Sequence, residues 1–104
     1  MNEYQIEETL NRLGCQEECL SRRQLALALE MLISMPHLLL GEWRELFSIE
    51  EDFADETLEQ LWRGSDKGLR EKIFHCNALK LTEEKPNSDW MIETLAEYIA
   101  KLCQ

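Results

Sequence analysis

Residues 25–33 of this chain read LALALEMLI, an apolar run interrupted by a single acid, Glu30. β-Branched residues are almost absent from the run, which favours a helix over a strand. On a helix its apolar side chains cover nearly every face, which is typical of a central, buried helix or of an interface. Immediately upstream, Ser21-Arg22-Arg23-Gln24 matches a capping box, with Leu20 and Leu25 as its hydrophobic staple. The pattern predicts a helix that begins at this box and is either central and buried or part of an interface.

Helical spacing continues on both sides of this run. Residues 2–13 carry apolar side chains three and four apart, and Gly14 follows where a helix end favours positive φ. Further segments are predicted downstream from apolar spacing and from start and stop signals. They are 36–47 beginning at Pro36, a helix capped by Ser48 (or starting at Asp52 or Asp55) and ending at Gly64, 66–81, and a last helix capped by Asn87 or Ser88.

The predicted fold class is all-α, a compact single-domain bundle of five or six short helices with mixed, orthogonal packing. No segment alternates with period two for long enough to indicate a strand, and no heptad pattern persists. Only 4 glycines and 2 prolines occur in 104 residues, which disfavours a barrel or sandwich with many turns. We expect one helical domain over residues 1–104, with a flexible loop near residues 82–88.

Composition sets the expected location of the protein. Apolar residues make up 44% of the chain, enough for a core, but no apolar run has the length of a membrane span. The first residues lack the basic and then apolar pattern of a signal peptide. We therefore expect a cytoplasmic protein, in the host cytoplasm if it is viral, with its 4 cysteines as reduced thiols.

The net charge of −10 lies entirely in the first 59 residues, which hold 14 acids and 4 bases against 7 of each in the remainder. Between Glu42 and Glu59 the only base is Arg44. Like charges at helical spacing repel one another, and a basic partner would relieve that repulsion. The sequence therefore predicts a protein-binding site in this segment, formed by Glu50, Glu51, Asp52, Phe53, Asp55, Glu56 and Glu59.

Two features of this segment leave alternatives open. Phe53 stands among acids and fits an interface anchor with a polar rim, or else the single inward residue of an acidic helix. The acids themselves also fit a solvated surface, since carboxylates are favoured in the first turn of a helix.

A basic stretch follows directly downstream. Arg63, Lys67 and Arg70 fall on one helical stripe, with Lys72 and Lys80 nearby. A helix–turn–helix that binds DNA through residues 66–81 is a less favoured hypothesis, because the neighbouring acids would repel a duplex. We expect the acidic segment and this basic stripe to neutralise each other in part.

Metal and catalytic signatures are weak. Cys15, Cys19, His75 and Cys76 would complete a tetrahedral zinc site only if the fold brought them together, and their spacing matches no zinc motif. Neither histidine can be paired with a nucleophile by spacing, and no glycine-rich phosphate loop is present. We therefore expect no catalytic residues, no metal and no cofactor.

The function predicted from sequence is a small non-catalytic protein–protein interaction module. It would act as an inhibitor, antagonist or adaptor by binding a basic surface of a larger protein, including one that handles nucleic acid. The alternative is a self-associating structural or regulatory domain that dimerises through residues 25–33. Direct binding of nucleic acid is not favoured, and no membrane partner is expected.

Overall fold

The computed structural model describes residues 2–64, 67–74 and 85–103, and this part of the chain forms six α-helices without a strand. The predicted all-α fold is confirmed. Within the same residues, no helix combines the length and the apolar character that crossing a bilayer requires. The helices are α1 Asn2–Arg12, α2 Leu20–Ser34, α3 Leu40–Leu46, α4 Asp55–Arg63, α5 Lys67–Phe74 and α6 Ser88–Leu102.

Helices α2 and α6 form the centre of the fold. Helix α2 contacts α1, α3, α4 and α6, while α6 also contacts α1, α4 and α5. Leu25, Ala28 and Leu29 of α2 are fully buried. The central position, one of the two predicted for residues 25–33, is therefore confirmed, but the run is not buried on every face, because Leu27 is 53% exposed. The Cα radius of gyration, 12.8 Å, is that of a compact domain of this length.

The start of α2 differs from the prediction. The helix begins at Leu20, and its N-cap, Cys19, makes no side-chain capping bond. Ser21 Oγ instead accepts a hydrogen bond from the backbone N of Thr57 at 3.2 Å. The predicted capping box is wrong because a donor at the start of α4 takes the hydroxyl, and the staple is wrong because Leu20 is 69% exposed.

Arg22, in the first turn of α2, is buried. Its Nε donates to the carbonyl of Cys15 at 2.5 Å, and its Nη2 contacts Asn11 Oδ1 at 3.0 Å and Glu7 Oε2 at 2.7 Å. The hydrogen bond to Glu7 is the main cause that raises the pKa of Arg22. Through these contacts, the guanidinium of Arg22 in α2 binds both α1 and the connection between the two helices.

Two helices end in the same backbone motif with different residues at its left-handed position. At the end of α1, the N–H groups of Gly14 and Cys15 bond the carbonyls of Asn11 and Leu10, and Gly14 has a φ of 96° as predicted. At the end of α3, Ser48 and Ile49 bond Glu45 and Arg44 in the same way, and Ser48 has a φ of 52°. Ser48 therefore ends a helix, and its predicted role as an N-cap is wrong.

The predictions for the remaining helix boundaries are correct in some cases and wrong in others. Helix α3 begins at Leu40, because residues 36–37 form a turn, so the predicted start at Pro36 is wrong. Helix α4 begins at Asp55, one of the alternative starts, and ends before Gly64 as expected. Asn87 caps α6 by accepting a hydrogen bond from the backbone N of Trp90 at 3.1 Å, which confirms that prediction. The end of the predicted 66–81 helix and residues 82–84 of the predicted loop lie outside the described residues.

Candidate protein-binding site

The acidic segment before α4 is a pair of successive turns. The backbone N of Phe53 donates to the carbonyl of Glu50 at 3.2 Å, and that of Asp55 donates to Asp52 at 3.1 Å. Phe53 and Ala54 are buried in the core. Because these two side chains point inward, the carboxylates of Glu50, Glu51 and Asp52 are held in solvent.

Phe53 is not an exposed anchor. It is only 9% exposed, and its ring lies 5.4 Å from that of Trp43, centroid to centroid. The interpretation of Phe53 as an interface anchor is corrected on this ground, and the alternative, the single inward residue of the segment, agrees with its position. Its burial stabilises the turn, since a buried aromatic side chain contributes a few kcal/mol, about 3 as an order of magnitude.

Two of the predicted carboxylates contact other parts of the fold. Asp55 is half-buried, and its Oδ1 accepts a hydrogen bond from Ser88 Oγ at 2.6 Å and lies 3.8 Å from Lys85 Nζ. Glu59 lies 3.2 Å from Arg63 Nε, one turn along α4. The ridge of acids expected from helical spacing is therefore divided, because Asp52 precedes the helix and Asp55 ties α4 to α6.

The remaining predicted acids stay available to a partner. Glu50, Glu51, Asp52 and Glu56 are exposed, and Glu51 is, after Asp89, one of the carboxylates whose charge raises the pKa of Arg44. Four of the seven predicted binding residues therefore have exposed side chains within the short stretch of residues 50–56.

Sequence reasoning missed the exposed apolar side chains beside this stretch. Leu46 is 73% exposed and Phe47 is 56% exposed, although helical spacing over 36–47 puts both on one apolar stripe with Trp43. The actual helix has seven residues and buries Leu40 and Trp43, so it has no room to bury a second apolar row. The sequence does contain a signal for this exposure, because residues 36–47 hold more large apolar side chains than one short helix can bury.

A shallow depression of about 670 Å³ lies on α3 and the turn after it. Its walls include Leu39, which is 65% exposed, and the carboxylate residues Glu42, Glu45 and Glu51. Arg44 also lines it, but both ends of its guanidinium are bonded to the carboxylate of Asp89. That hydrogen bonding is the main cause that raises the pKa of Arg44. The depression is therefore negative in sign.

The basic stripe predicted downstream is not formed as expected. Arg70 is 2% exposed, so it lies in the core and is unable to contact phosphates, and Arg63 is paired with Glu59. The side chain of Lys67 and all of Lys80 lie outside the described residues. DNA binding through residues 66–81 stays a prediction, and a gel-shift assay with a salt titration tests it.

Two cysteines lie against α4. Cys15 Sγ donates to the carbonyl of Thr57 at 3.5 Å, and Cys19 Sγ is 3.9 Å from Thr57 Oγ1. Burial raises the pKa of Cys15 to about 11, and the positive charge of Arg22 opposes this shift. Within residues 2–64, 67–74 and 85–103, no three His, Cys, Asp or Glu side chains are grouped as metal ligands. His75 and Cys76 fall outside those ranges.

Comparisons with protein families, with curated proteins and with solved structures find no match to this chain.

Proposed function

We propose that this protein is a non-catalytic interaction module that binds a basic surface of a larger protein. The site is the acidic region, defined as the exposed carboxylates Glu42, Glu45, Glu50, Glu51, Asp52 and Glu56 together with the exposed apolar residues Leu46 and Phe47.

The observation that carries the proposal is the position of two large, exposed apolar side chains next to exposed acids in the chain. Leu46 and Phe47 are each more than half exposed, and the carboxylates of residues 50–52 follow within a few residues of the chain. Apolar contacts surrounded by polar groups are the usual composition of a protein interface. A basic partner would also relieve the repulsion among neighbouring carboxylates.

An inhibitor, antagonist or adaptor role follows from the charge of the chain. A net charge of −10 concentrated in one half of a small protein accelerates encounter with a basic surface, especially at low salt. Proteins that handle nucleic acid carry such surfaces. This module would compete with nucleic acid for them.

The test is affinity capture from the native cells with mass-spectrometric quantification. The binding variant is E50K/E51K/D52K, and the matched control is E3K/E8K/E17K, which changes the charge equally at exposed acids of α1 and the following loop. We expect the binding variant to lose a basic partner by at least about tenfold, while the control retains it. A partner lost equally from both variants would show dependence on net charge alone and would contradict the proposed site.

Self-association through residues 25–33 is the second candidate, and the exposed Leu27 on α2 is the observation that favours it. Leu25, Ala28 and Leu29 of the same run are buried within the single chain, which reduces the apolar surface available to a second copy. Sedimentation equilibrium over a range of concentrations, compared with Leu27→Asp, tests this candidate. A monomer at all concentrations would reject it.

A further inference from the structure

A second and more apolar groove lies between the C-terminal half of α2, the segment before α3, and α6. Its volume is about 370 Å³. Leu32 and Ile33 of α2 are partly buried along it, and Leu40 and Ala96 are buried beneath it. Leu39 lines both this groove and the acidic depression on α3, so the two surfaces are continuous.

The wall that α6 contributes has the spacing of one helix face. Glu93, Ala96, Glu97 and Ala100 recur at i, i+3, i+4 and i+7, which covers about two turns, or roughly 10 Å. Because the side chains of the two alanines are short, they leave space above this part of α6, and the two glutamates beside them are exposed. A groove of this length and shape fits two turns of an added helix.

The charged residues described along the groove are acidic. Among the described residues that line it, the charged side chains are Glu93 and Glu97. Lys101 lies 3.5 Å from Glu97, but both side chains are about 70% exposed, where such a pair is weak. Across Leu39, the carboxylates of Glu42 and Glu45 continue the same sign.

We propose that this groove binds a basic amphipathic helix of the partner. Apolar residues on one face of that helix would contact Leu32, Ile33 and Leu39, and its flanking Lys and Arg side chains would pair with Glu93 and Glu97. This inference rests on the proposed function, because it names the element of the basic partner that the module recognises.

Charge also argues against a second copy of the chain as the occupant. A two-fold dimer through the groove would bring the same surface from each copy together, placing the Glu93 and Glu97 carboxylates of both copies near one another. Like charges opposed in an interface weaken the association. Helix α5 has the most bases of the described helices, but Arg70 in it is buried and so is not free to pair across an interface.

The test uses a fluorescent peptide of about 15 residues. It carries Leu at i, i+3, i+4 and i+7 and Lys elsewhere, and a peptide of the same composition in scrambled order is the control ligand. Binding to the full chain is followed by anisotropy at low and high salt, and amide shifts locate the contact. The protein variants are E93K/E97K and Leu39→Asp, with Leu27→Asp as the matched control at an exposed leucine outside the groove.

We expect the amphipathic peptide to bind more tightly than the scrambled one and to shift the amides of residues 32, 33, 96 and 100. The affinity should fall by at least about tenfold in E93K/E97K and in Leu39→Asp, and stay unchanged in Leu27→Asp. Circular dichroism checks that each variant retains its helices.

Other outcomes separate this inference from the proposed function. Binding that is insensitive to the groove variants but lost in E50K/E51K/D52K would overturn the groove and support the acidic region. The opposite pattern would support the groove and reject the acidic region as the binding site. Absence of peptide binding, or a dimer of the protein that Leu39→Asp dissociates, would overturn the inference.

Discussion

Arg44 of α3 donates two hydrogen bonds to the carboxylate of Asp89 in the first turn of α6, one of them from Nη2 to Oδ2 at 3.1 Å. This pair joins the helix that carries Glu42 and Glu45 to the central helix of the fold. Arg44 is the only base between Glu42 and Glu59, and because it is paired with Asp89 it offsets the charge of the surrounding carboxylates only in part.

The pair should contribute measurably to stability. Arg44 is 13% exposed and Asp89 is 39% exposed, so both are only partly solvated. Asp89→Asn removes the charge and weakens both bonds, and we expect a loss of about 1–3 kcal/mol in the free energy of unfolding in urea. Glu97→Gln, in the exposed pair with Lys101, is the control and should change it by at most about 0.5 kcal/mol. Equal effects of the two substitutions would contradict this role.

The close approach of α4 to the end of α1 depends on glycine. A Cβ at Gly64 would lie 2.2 Å from the carbonyl oxygen of Leu13, which backbone atoms are unable to avoid without moving. We expect Gly64→Ala to destabilise the protein by about 2 kcal/mol or more. Gly41→Ala is the control, because its Cβ would meet no atom within 4 Å, and it should leave stability unchanged or raise it by up to about 1 kcal/mol.

Ser48 occupies a backbone conformation that favours glycine. With a φ of 52° at the left-handed position after α3, it carries strain that Gly14 avoids at the end of α1. We expect Ser48→Gly to raise the free energy of unfolding by about 0.5–1 kcal/mol, seen as a higher melting temperature. Ser48→Val, which is branched at Cβ, should lower it. A destabilised Ser48→Gly would mean that the hydroxyl has a role of its own.

The buried Cys15 thiol should make stability depend on pH in the alkaline range. Because burial raises its pKa from 9.0 to about 11, the native state holds this proton more tightly than the unfolded chain. The contribution is complete below pH 9 and is lost as the pH rises to about 11. Urea titrations across that range, with Cys15→Ala as the control, measure it. A Cys15→Ala variant with the same alkaline loss would assign the effect to other groups.

The same burial predicts a difference in thiol reactivity. Cys103 is exposed, whereas Cys15 is fully buried and remains a neutral thiol near pH 7. We expect iodoacetamide to label Cys103 rapidly and Cys15 only in denaturant, as read by peptide mass spectrometry. Rapid labelling of both sites in the native protein would show that the α1–α2 connection opens readily.

The carboxylates of the acidic region should favour partner binding but lower the stability of the fold. E50Q/E51Q/D52N removes three neighbouring, exposed negative charges, and we expect the free energy of unfolding to rise by up to about 1 kcal/mol at low salt. The gain should vanish at high salt, while partner binding is weakened. Asp55→Asn is the contrasting variant and should lower stability, because its carboxylate holds Ser88 and Lys85. A loss of stability in E50Q/E51Q/D52N would indicate a structural role for these acids.

The sequence predicts the exposed acids of the site correctly, but it does not predict which of the neighbouring apolar side chains are buried. The exposed acids at 50–52 follow from their charge, since carboxylates without partners remain in water. The pattern leaves Phe53 ambiguous, because its position relative to the core depends on Trp43, ten residues earlier on α3. Leu46 and Phe47 were misplaced because the helix was extended back to Pro36, which gave their stripe a length that α3 does not have.

By itself, the sequence determined the all-α class, the helix ends at Gly14 and Gly64, and the start of α6 at Asn87 or Ser88. These features depend on spacing and backbone freedom within a few residues, which the local pattern contains. Only the tertiary structure decided that Ser21 bonds Thr57 and that Asp55 bonds Ser88, partners 36 and 33 residues apart. A polar side chain takes whichever partner the folded chain brings to it, and local sequence does not specify that neighbour.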